Sequence, residues 1–533
     1  MLRDSLTTAL RAALATAGID APAEIHLERP ARREHGDWSS NVAMSTSKQH
    51  GRPPREVATE LVDRLNADLP AHVERVELAG PGFVNFHLRD TWLHELLAEV
   101  VAAGEQGYAR PDLGGGLKVN VEFVSANPTG PLHAGGGRWA AFGDSLCNIL
   151  ERCGHEVHRE YYLNDRGVQM GLFAASLAAR RDGTDLPEDG YQGEYIREWA
   201  AEMPGDADPQ AWGYERVKRD LAGSLQKIGV EFDTWFSEQS LVDDGAIEAT
   251  LADLRKAGAA FDDDGAVWLR STDYGDDKDR VLVKSDGEPT YLLPDIAYHR
   301  SKYARGHQLL IDIWGADHHG YASRLKAGVQ ALGHQAEELE IILGQLVLLV
   351  RGGEEVRLSK RSGDIVLLDD LVDAVGSDVA RLTFLLQSLD TRQTVDLDLI
   401  TAQSNENPVF YVQYANARIH SIGRRAAEAG VERAPIGDAD LSLLVHEREL
   451  DVLRKLSELP EVVALACRDR APHKVTTWVR ELADRFHGFY HDCYVIGDVP
   501  PELTQARLWL VESARIGLSI GLDLLGVSAP ESM

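Results

Sequence analysis

The sequence predicts a multidomain α/β protein: a parallel sheet layered with helices, a small α+β module before it and an α-helical bundle after it. Three observations carry this expectation. Between about residues 117 and 395, strand-like and helix-like segments alternate, and the first strand–helix–strand set can only return with its strands parallel. Residues 1 to about 110 mix two helical stretches with short alternating strands. From about 404 onward almost only helical periodicity remains. A chain of 533 residues has room for about three domains of ordinary size.

The N-terminal module opens on a helix over 1–17, with Leu2, Leu6, Leu10 and Leu14 on one face. A second helix spans about 54–68. Residues 80–88 alternate apolar and polar like a half-buried strand, and Gly114-Gly115-Gly116 marks a linker end. In the central region, expected over 111–400, Lys118–Val124 reads as a strand. A helix over 138–153 follows, with Trp139, Phe142, Leu146, Ile149 and Cys153 on one face and Gly154 as its stop. Strands are expected at 157–163, 309–314 and 340–343. The acidic stretch of about 172–265 reads as a helical insertion between two halves of the sheet. The last region, 401–533, reads as helices over 405–428, 441–469, 473–490 and 502–525.

Composition excludes several classes of protein. With 44% hydrophobic and 26% charged residues, the chain can build a core and is not of the disordered type. Asp4 and Arg11 interrupt any apolar leader, so the first helix is read as part of the mature protein. The longest apolar run, 341–350, is broken by Gly344 and Gln345 and is far short of the ~20 residues a membrane helix needs. Four cysteines without a CxxC pair suggest neither a zinc site nor a redox pair, and fit a reducing cytoplasm. The net charge of −30 argues against a broad nucleic-acid-binding face, but phosphates respond to local patches. Candidate patches are Arg29, Arg32 and Arg33, and the set Arg418, Arg424 and Arg425.

Two segments carry the chemistry. Asn127-Pro128-Thr129-Gly130-Pro131-Leu132-His133-Ala134-Gly135-Gly136-Gly137 links a strand to a helix. Glycines there permit close approach of backbone to a ligand, and a helix N-terminus attracts phosphate. A tight turn with a surface histidine reads equally well from these residues alone. The second segment, Arg357-Leu358-Ser359-Lys360-Arg361-Ser362-Gly363, is a cationic loop that can stabilise charge on a departing pyrophosphate, or a solvated basic loop. Two acids stand in apolar surroundings: Glu122 within the first strand, and Asp295 four residues after Tyr291. A buried carboxylate needs a cation, which is a ligand or an internal salt bridge. The histidines 155, 158, 299, 318 and 319 have no metal-ligand spacing, so no protein-bound metal is expected. Phe410, Tyr411, Tyr414, Arg418 and His420 mix aromatics and cations on one helix, as stacking on single-stranded bases requires and as core packing equally allows.

In order and content the two segments resemble the HIGH and KMSKS motifs of class I aminoacyl-tRNA synthetases. The strings around them resemble the arginyl-tRNA synthetase family: Val121–His133, Arg159-Glu160-Tyr161-Tyr162-Leu163-Asn164-Asp165-Arg166-Gly167, Tyr191–Tyr195, Tyr291-Leu292-Leu293-Pro294-Asp295-Ile296-Ala297, Trp314–Tyr321 and Asn405–Ala415. Glu28-Arg29-Pro30 through His35-Gly36-Asp37 resembles the family's extra N-terminal domain. The resemblance implies a Rossmann-type catalytic domain that ligates arginine to tRNA. It implies ATP with Mg2+ as a substrate complex and no tightly bound cofactor. It assigns His133, Ser359 and Lys360 to catalysis, and His133, Gly135, Gly136, Gly137 and Lys360 to ATP. It assigns Glu122, Tyr291 and Asp295 to the guanidinium and Asn127 and Asp317 to the amino-acid main chain, and it places anticodon recognition in the C-terminal domain, where Tyr411, Tyr414 and Arg418 are the residues read as contacting tRNA. A cytoplasmic monomer without membrane contact is expected. Two positions depart from the pattern: Gly136 replaces the second histidine of HIGH, and Arg357 replaces the first lysine of KMSKS. A synthetase for another amino acid and a silent tRNA-binding paralogue are the rival readings, the latter resting on Gly136.

Overall fold

The computed structural model describes residues 2–356, 366–402 and 407–532. It divides into two compact units: 1–104 with 422–457 and 488–514, and 105–421 with 458–487 and 515–533.

The first unit begins with helix α1 (Leu2–Thr16), strands β1 (Leu27–Glu28) and β2 (Trp38–Ser40), helices α2 (Val42–His50) and α3 (Pro54–Ala67), and the hairpin β3 (Val73–Ala79) and β4 (Phe83–Leu88). The strands form an antiparallel sheet in the order β1-β2-β4-β3. The predicted leucine stripe is the buried face of α1: Leu6, Leu10 and Leu14 pack with Val57, Leu61, Leu65, Val76, Val84 and Phe86. The expected strand 80–88 is shorter at its start, because Gly80, at φ +52°, turns the chain before Phe83. Helix α4 (Thr91–Gly107) breaks at Gly104, whose φ of 60° and ψ of −169° are not helical. Segments from the C-terminal region complete this unit. Arg33 pairs with Glu447, Arg454 reaches Asp90 at 3.2 Å, and Arg29 donates to the Ser457 carbonyl at 3.3 Å while lying 4.5 Å over the Trp38 ring. Two cations of the predicted Arg29–Arg33 patch are therefore engaged inside the unit.

The second unit holds the large sheet. Its elements are β5 (Lys118–Glu122), α5 (Gly136–Arg152), β6 (Glu156–Leu163), α6 (Gly167–Asp182), α7 (Glu194–Glu202), α8 (Pro209–Lys227), β7 (Thr234–Ser237), α9 (Glu238–Asp243), α10 (Ala246–Lys256), β8 (Ala260–Asp263), β9 (Ala266–Leu269), β10 (Arg280–Val283), α11 (Leu292–Ala304), β11 (Leu309–Gly315), α12 (His319–Ala331) and β12 (Leu339–Gly344). Five of the strands run parallel in the order β12-β11-β5-β6-β7. The order reverses between β5 and β11, so ligands are expected beyond the carboxyl ends of those two strands. The acidic insertion proves only partly helical. After α8 the chain returns as β7, the fifth strand, and β8–β10 make a small antiparallel sheet. A four-residue strand is too short for its periodicity to register against flanking helices.

Downstream, β13 (Val347–Arg351), β14 (Glu354–Val356), α13 (Leu368–Val375), α14 (Ser377–Phe384), β15 (Gln393–Asp396) and α15 (Leu397–Ile400) bring in a three-stranded sheet. The helices after it are α16 (Pro408–Glu428), α17 (Glu447–Ser457), α18 (Leu459–Arg468), α19 (His473–Asp492) and α20 (Pro501–Leu524). The expected helix 441–469 is split. Pro460 sits at the start of α18, where its missing N–H costs nothing, and it cannot continue α17. No described helix is long and apolar enough to cross a membrane.

Candidate active site

Strand β5 delivers the chain into a strained turn, with Val124 and Ser125 at φ 68° and 38°. The strain is held by bonds. Tyr161 Oη receives the Ala126 N–H at 3.0 Å and donates to the Ala126 carbonyl at 3.1 Å, while Ser125 Oγ accepts the Tyr162 N–H at 3.1 Å and donates to Glu122 at 3.0 Å. Leu132 to Ala134 then run beside 366–368: Ala134 N donates to the Val366 carbonyl at 2.9 Å and Leu368 N to the Leu132 carbonyl at 2.8 Å.

His133 stands at the head of α5. Its Nδ1 accepts the Gly136 N–H at 3.1 Å, which places the ring's own proton on Nε2. The glycines differ from their expected role. The Gly136 and Gly137 N–H groups already bond to the His133 and Ala134 carbonyls at 2.8 and 3.0 Å and are not open to phosphate in this state. What the glycines permit is close packing. A Cβ on Gly137 would stand 2.8 Å from both Leu368 and Phe384, and one on Gly136 would stand 2.7 Å from Leu132 Cδ1. Gly136 thus has a packing reason, which weakens the case for a decayed site. Gly136→His is expected to raise the activity by less than about threefold, because overpacking offsets any new donor. A gain of tenfold or more in aminoacylation rate would contradict that. Arg138, fully buried, is a clamp: it donates to the carbonyls of Gln345, Ser388 and Thr391 at 2.8, 2.8 and 2.9 Å.

The second half of the site is acidic. Glu122 ends β5, opposite Asp312 of β11 on one side and Glu160 of β6 on the other. Lys302, from α11, lies 2.7 Å from Glu122 and 2.9 Å from Asp312. Arg305 grips Glu160 with both Nη atoms, at 2.6 and 2.8 Å. Burial pushes the Glu160 carboxyl up, but the Arg305 bonds and the Lys302 charge reverse this and hold it at about 2. Of the two readings of Glu122, the internal ion pair is present: one oxygen takes Lys302, the other Ser125.

Asp295 differs. It is half-buried in the first turn of α11, and its bonded side-chain partner is a neutral phenol, Tyr321 of α12. Burial raises its pKa to about 6; Tyr321 and His299 pull it down, and Glu238 and Glu122 push it up. Glu238, at the start of α9, is itself raised by burial, against which the neighbouring Tyr162 hydroxyl draws it down. The Tyr162 hydroxyl is pushed up by burial first, and then by Glu238, Asp295 and Glu122. Three carboxyls and two phenols therefore converge at the carboxyl ends of β5, β6 and β7 and on helix α11. An excess of acid over bonded cation among these side chains favours a cation with many N–H groups.

Other predicted residues take separate positions. Tyr291 is 84% exposed, one turn before Asp295. Asn127 is exposed and donates to Gln169 at 3.0 Å. Asp317 is exposed beyond β11, with His318 3.5 Å away. Both lie on loops at the carboxyl ends of the two central strands. Ser359 and Lys360 lie outside the described residues. Glu238 was not legible as a site residue, since it sits in the stretch read as a helical insertion; the aromatic run Thr234-Trp235-Phe236 before it was the available signal. Tyr411, Tyr414 and Arg418 do meet. Arg418 lies 4.3 Å over the Tyr414 ring and 2.8 Å from His487 Nδ1, and Tyr411 Oη donates to Asp484 at 3.2 Å. Among the described residues, no group of three His, Cys, Asp or Glu could hold a metal.

Comparison with known proteins decides the family. Residues 4–88 match the arginyl tRNA synthetase N terminal domain, residues 98–192 and 214–398 the catalytic domain of class I (R) tRNA synthetases, and residues 412–533 the DALR anticodon binding domain. The chain belongs to the class I arginyl-tRNA synthetase family. It is 46% identical to an arginine–tRNA ligase of Frankia alni over 551 residues, covering 100% of this chain and 99% of that protein. It is 43% identical to one from Bacillus subtilis over 554 residues, with 100% and 99% coverage. The solved structure of Thermus thermophilus arginyl-tRNA synthetase shares its fold, with a TM-score of 0.77 at 23% identity and full coverage of both chains. Gly136 and Arg357 depart from the HIGH and KMSKS patterns in a chain that matches its relatives from end to end.

Proposed function

We propose that the chain ligates L-arginine to its tRNA in two steps, with ATP and Mg2+ as substrate complex. The arginine carboxylate attacks the α-phosphorus of ATP, releasing pyrophosphate and giving arginyl-adenylate. The terminal ribose hydroxyl of the tRNA then attacks the arginyl carbonyl and releases AMP. The observation that carries the reading is the acidic cleft around Asp295, whose bonded partner is a phenol and not a cation. A planar guanidinium fits it, since five N–H donors can serve Asp295 and Glu238 together. Glu122, with Tyr291, borders that pocket, and Asn127 and Asp317, on loops at the carboxyl ends of the two central strands, meet the amino-acid main chain. His133 meets the ATP phosphates, the family resemblance assigns Gly135 to Gly137 to ATP although the Gly136 and Gly137 N–H groups are bonded within the loop in the ATP-free protein, and Lys360 with Ser359 serves the pyrophosphate side. Tyr411, Tyr414 and Arg418 form a half-buried aromatic–cation cluster suited to a tRNA base and its phosphate. In this reading the protein is a monomer acting in the cytoplasm.

The test is pyrophosphate exchange with each amino acid, with and without tRNA. Exchange is expected with arginine and only when tRNA is present, as the family resemblance implies. Exchange with arginine and ATP alone would refute the tRNA requirement, and no exchange with arginine under either condition would refute the function.

The pH dependence has a definite sign. An Asp295 pKa of about 6 lies above its unfolded value of roughly 3.9, so the arginine-free protein loses stability as pH rises between the two. Bound guanidinium favours the ionised form, so arginine affinity rises as pH rises through about 6. Calorimetry at pH 6 in buffers of different ionisation enthalpy should show roughly half a proton released per arginine bound. Proton uptake, or none, would mean that Asp295 does not meet the guanidinium.

A further inference from the structure

His299 lies beneath the acidic cleft on α11, four residues after Asp295 and 3% exposed. Its Nδ1 is 2.7 Å from the backbone carbonyl of Asp295, and its Nε2 is 2.7 Å from Asp312 Oδ2. A carbonyl oxygen can only accept. The Asp312 carboxyl is also an acceptor: burial would raise its pKa, but Lys302 and His299 together hold it well below the usual range. The bridge is complete only when both ring nitrogens carry protons, which makes the ring a cation. Asp312 is anchored in turn by Lys302, at 2.9 Å, in the middle of the parallel sheet.

We propose that His299 is a positioning residue for arginine recognition: it ties the Asp295 turn of α11 to Asp312 of β11 and supplies fixed positive charge behind the carboxylate that takes the guanidinium. The inference rests on the arginine-binding reading above and deepens it. Distance and charge favour this over packing alone. A histidine that merely filled space would need one partner, whereas here both nitrogens meet obligate acceptors, and one of them belongs to Asp295. The groups facing Asp295 are Tyr321 of α12, Glu238 of α9, Glu122 of β5, Tyr162 of β6 and His299 itself. Protonated through that bridge, His299 is the cationic side chain among them. Around His299 stand Asp312 of β11, the Tyr298 ring at 5.3 Å and Lys302 beyond Asp312. Without the imidazole, Tyr321 alone opposes burial, Glu122 and Glu238 at Asp295, and the carboxyl ionises at higher pH.

The experiment is His299→Gln in the full-length protein, assayed for tRNA-dependent exchange across pH 5.5–8.5. The arginine KM is expected to rise about eightfold at pH 5.5 and about twofold at pH 7, with its inflection moved to higher pH by about one unit. The ATP KM and the rate at saturating arginine should stay within about twofold. A folded variant with the inflection unmoved, or with both KM values raised equally, would overturn the proposal. If the variant does not fold, the native protein decides. Nitrogen-15 spectra should show hydrogen-bonded protons on both ring nitrogens of His299, and a bare nitrogen would overturn the bridge. Native protein that never saturates with arginine while showing both ring protons would refute the arginine reading and leave the bridge standing.

Discussion

Replacing Asp295 by asparagine should raise the arginine KM by about 30- to 1,000-fold and leave the ATP KM nearly unchanged. The change keeps volume and one acceptor oxygen but removes the charge. A guanidinium then enters a half-buried cleft with one anion fewer, a loss on the order of 2–4 kcal/mol. Glu238 remains, so binding weakens without vanishing. The folded state should not suffer, because in the arginine-free protein this carboxyl is held high by burial and by neighbouring acids. A neutral amide there relieves repulsion, and a melting temperature equal to or above that of the native protein is the companion result. Thermal unfolding and steady-state exchange on one preparation check both. Equal loss in arginine and ATP KM, or a marked drop in melting temperature, would make Asp295 a structural residue.

His133→Ala should lower the rate of adenylate formation by about 100- to 1,000-fold, the usual effect of removing one donor to developing charge. The geometry gives a reason to expect the loss in rate rather than in folding. Nδ1 holds the Gly136 N–H, but that N–H also reaches the His133 carbonyl at 2.8 Å, so the helix start survives the truncation. The orientation fixed by Nδ1 leaves the proton on Nε2. Rapid-quench measurement of adenylate with saturating arginine, ATP and tRNA separates the effects. A rate within threefold of native would make the imidazole a helix cap and nothing more.

Much of this site could be read before the fold was known, for identifiable reasons. The strand–loop–helix around His133 was legible because glycine, proline and histidine at fixed offsets are local signals. Glu122 and Asp295 stood out as acids in apolar runs. The partners that decide what those acids do were not legible. Lys302 meets Glu122 across 180 residues, and nothing local separates it from a surface lysine. Glu238 was hidden because β7 has four residues and follows the 19-residue helix α8. The glycines misled in the opposite direction: their number suggested open N–H groups, while the packing of Leu132, Leu368 and Phe384 against them is a tertiary fact. The helix expected over 441–469 failed at Pro460, where a local breaker was outweighed by the periodicity around it.

Arg381 of α14 is fully buried and satisfied from four directions. Its guanidinium bonds to the carbonyls of Ile228 and Gly229 at 2.9 and 3.2 Å, to Asp144 of α5 at 2.5 Å, and to the carbonyl of Leu525 at 3.0 Å. Ser145 of α5 meets the same Leu525 carbonyl at 3.2 Å. The last of these partners is made long after the others. During synthesis on the ribosome, helix α5 with Asp144 emerges early, yet one partner of the Arg381 guanidinium arrives 144 residues after Arg381 itself. Until then the nascent catalytic region carries a desolvated guanidinium with an incomplete shell, a state that favours opening over closure. Stalled chains ending before residue 525 should therefore be more sensitive to protease in this region than chains that extend past it.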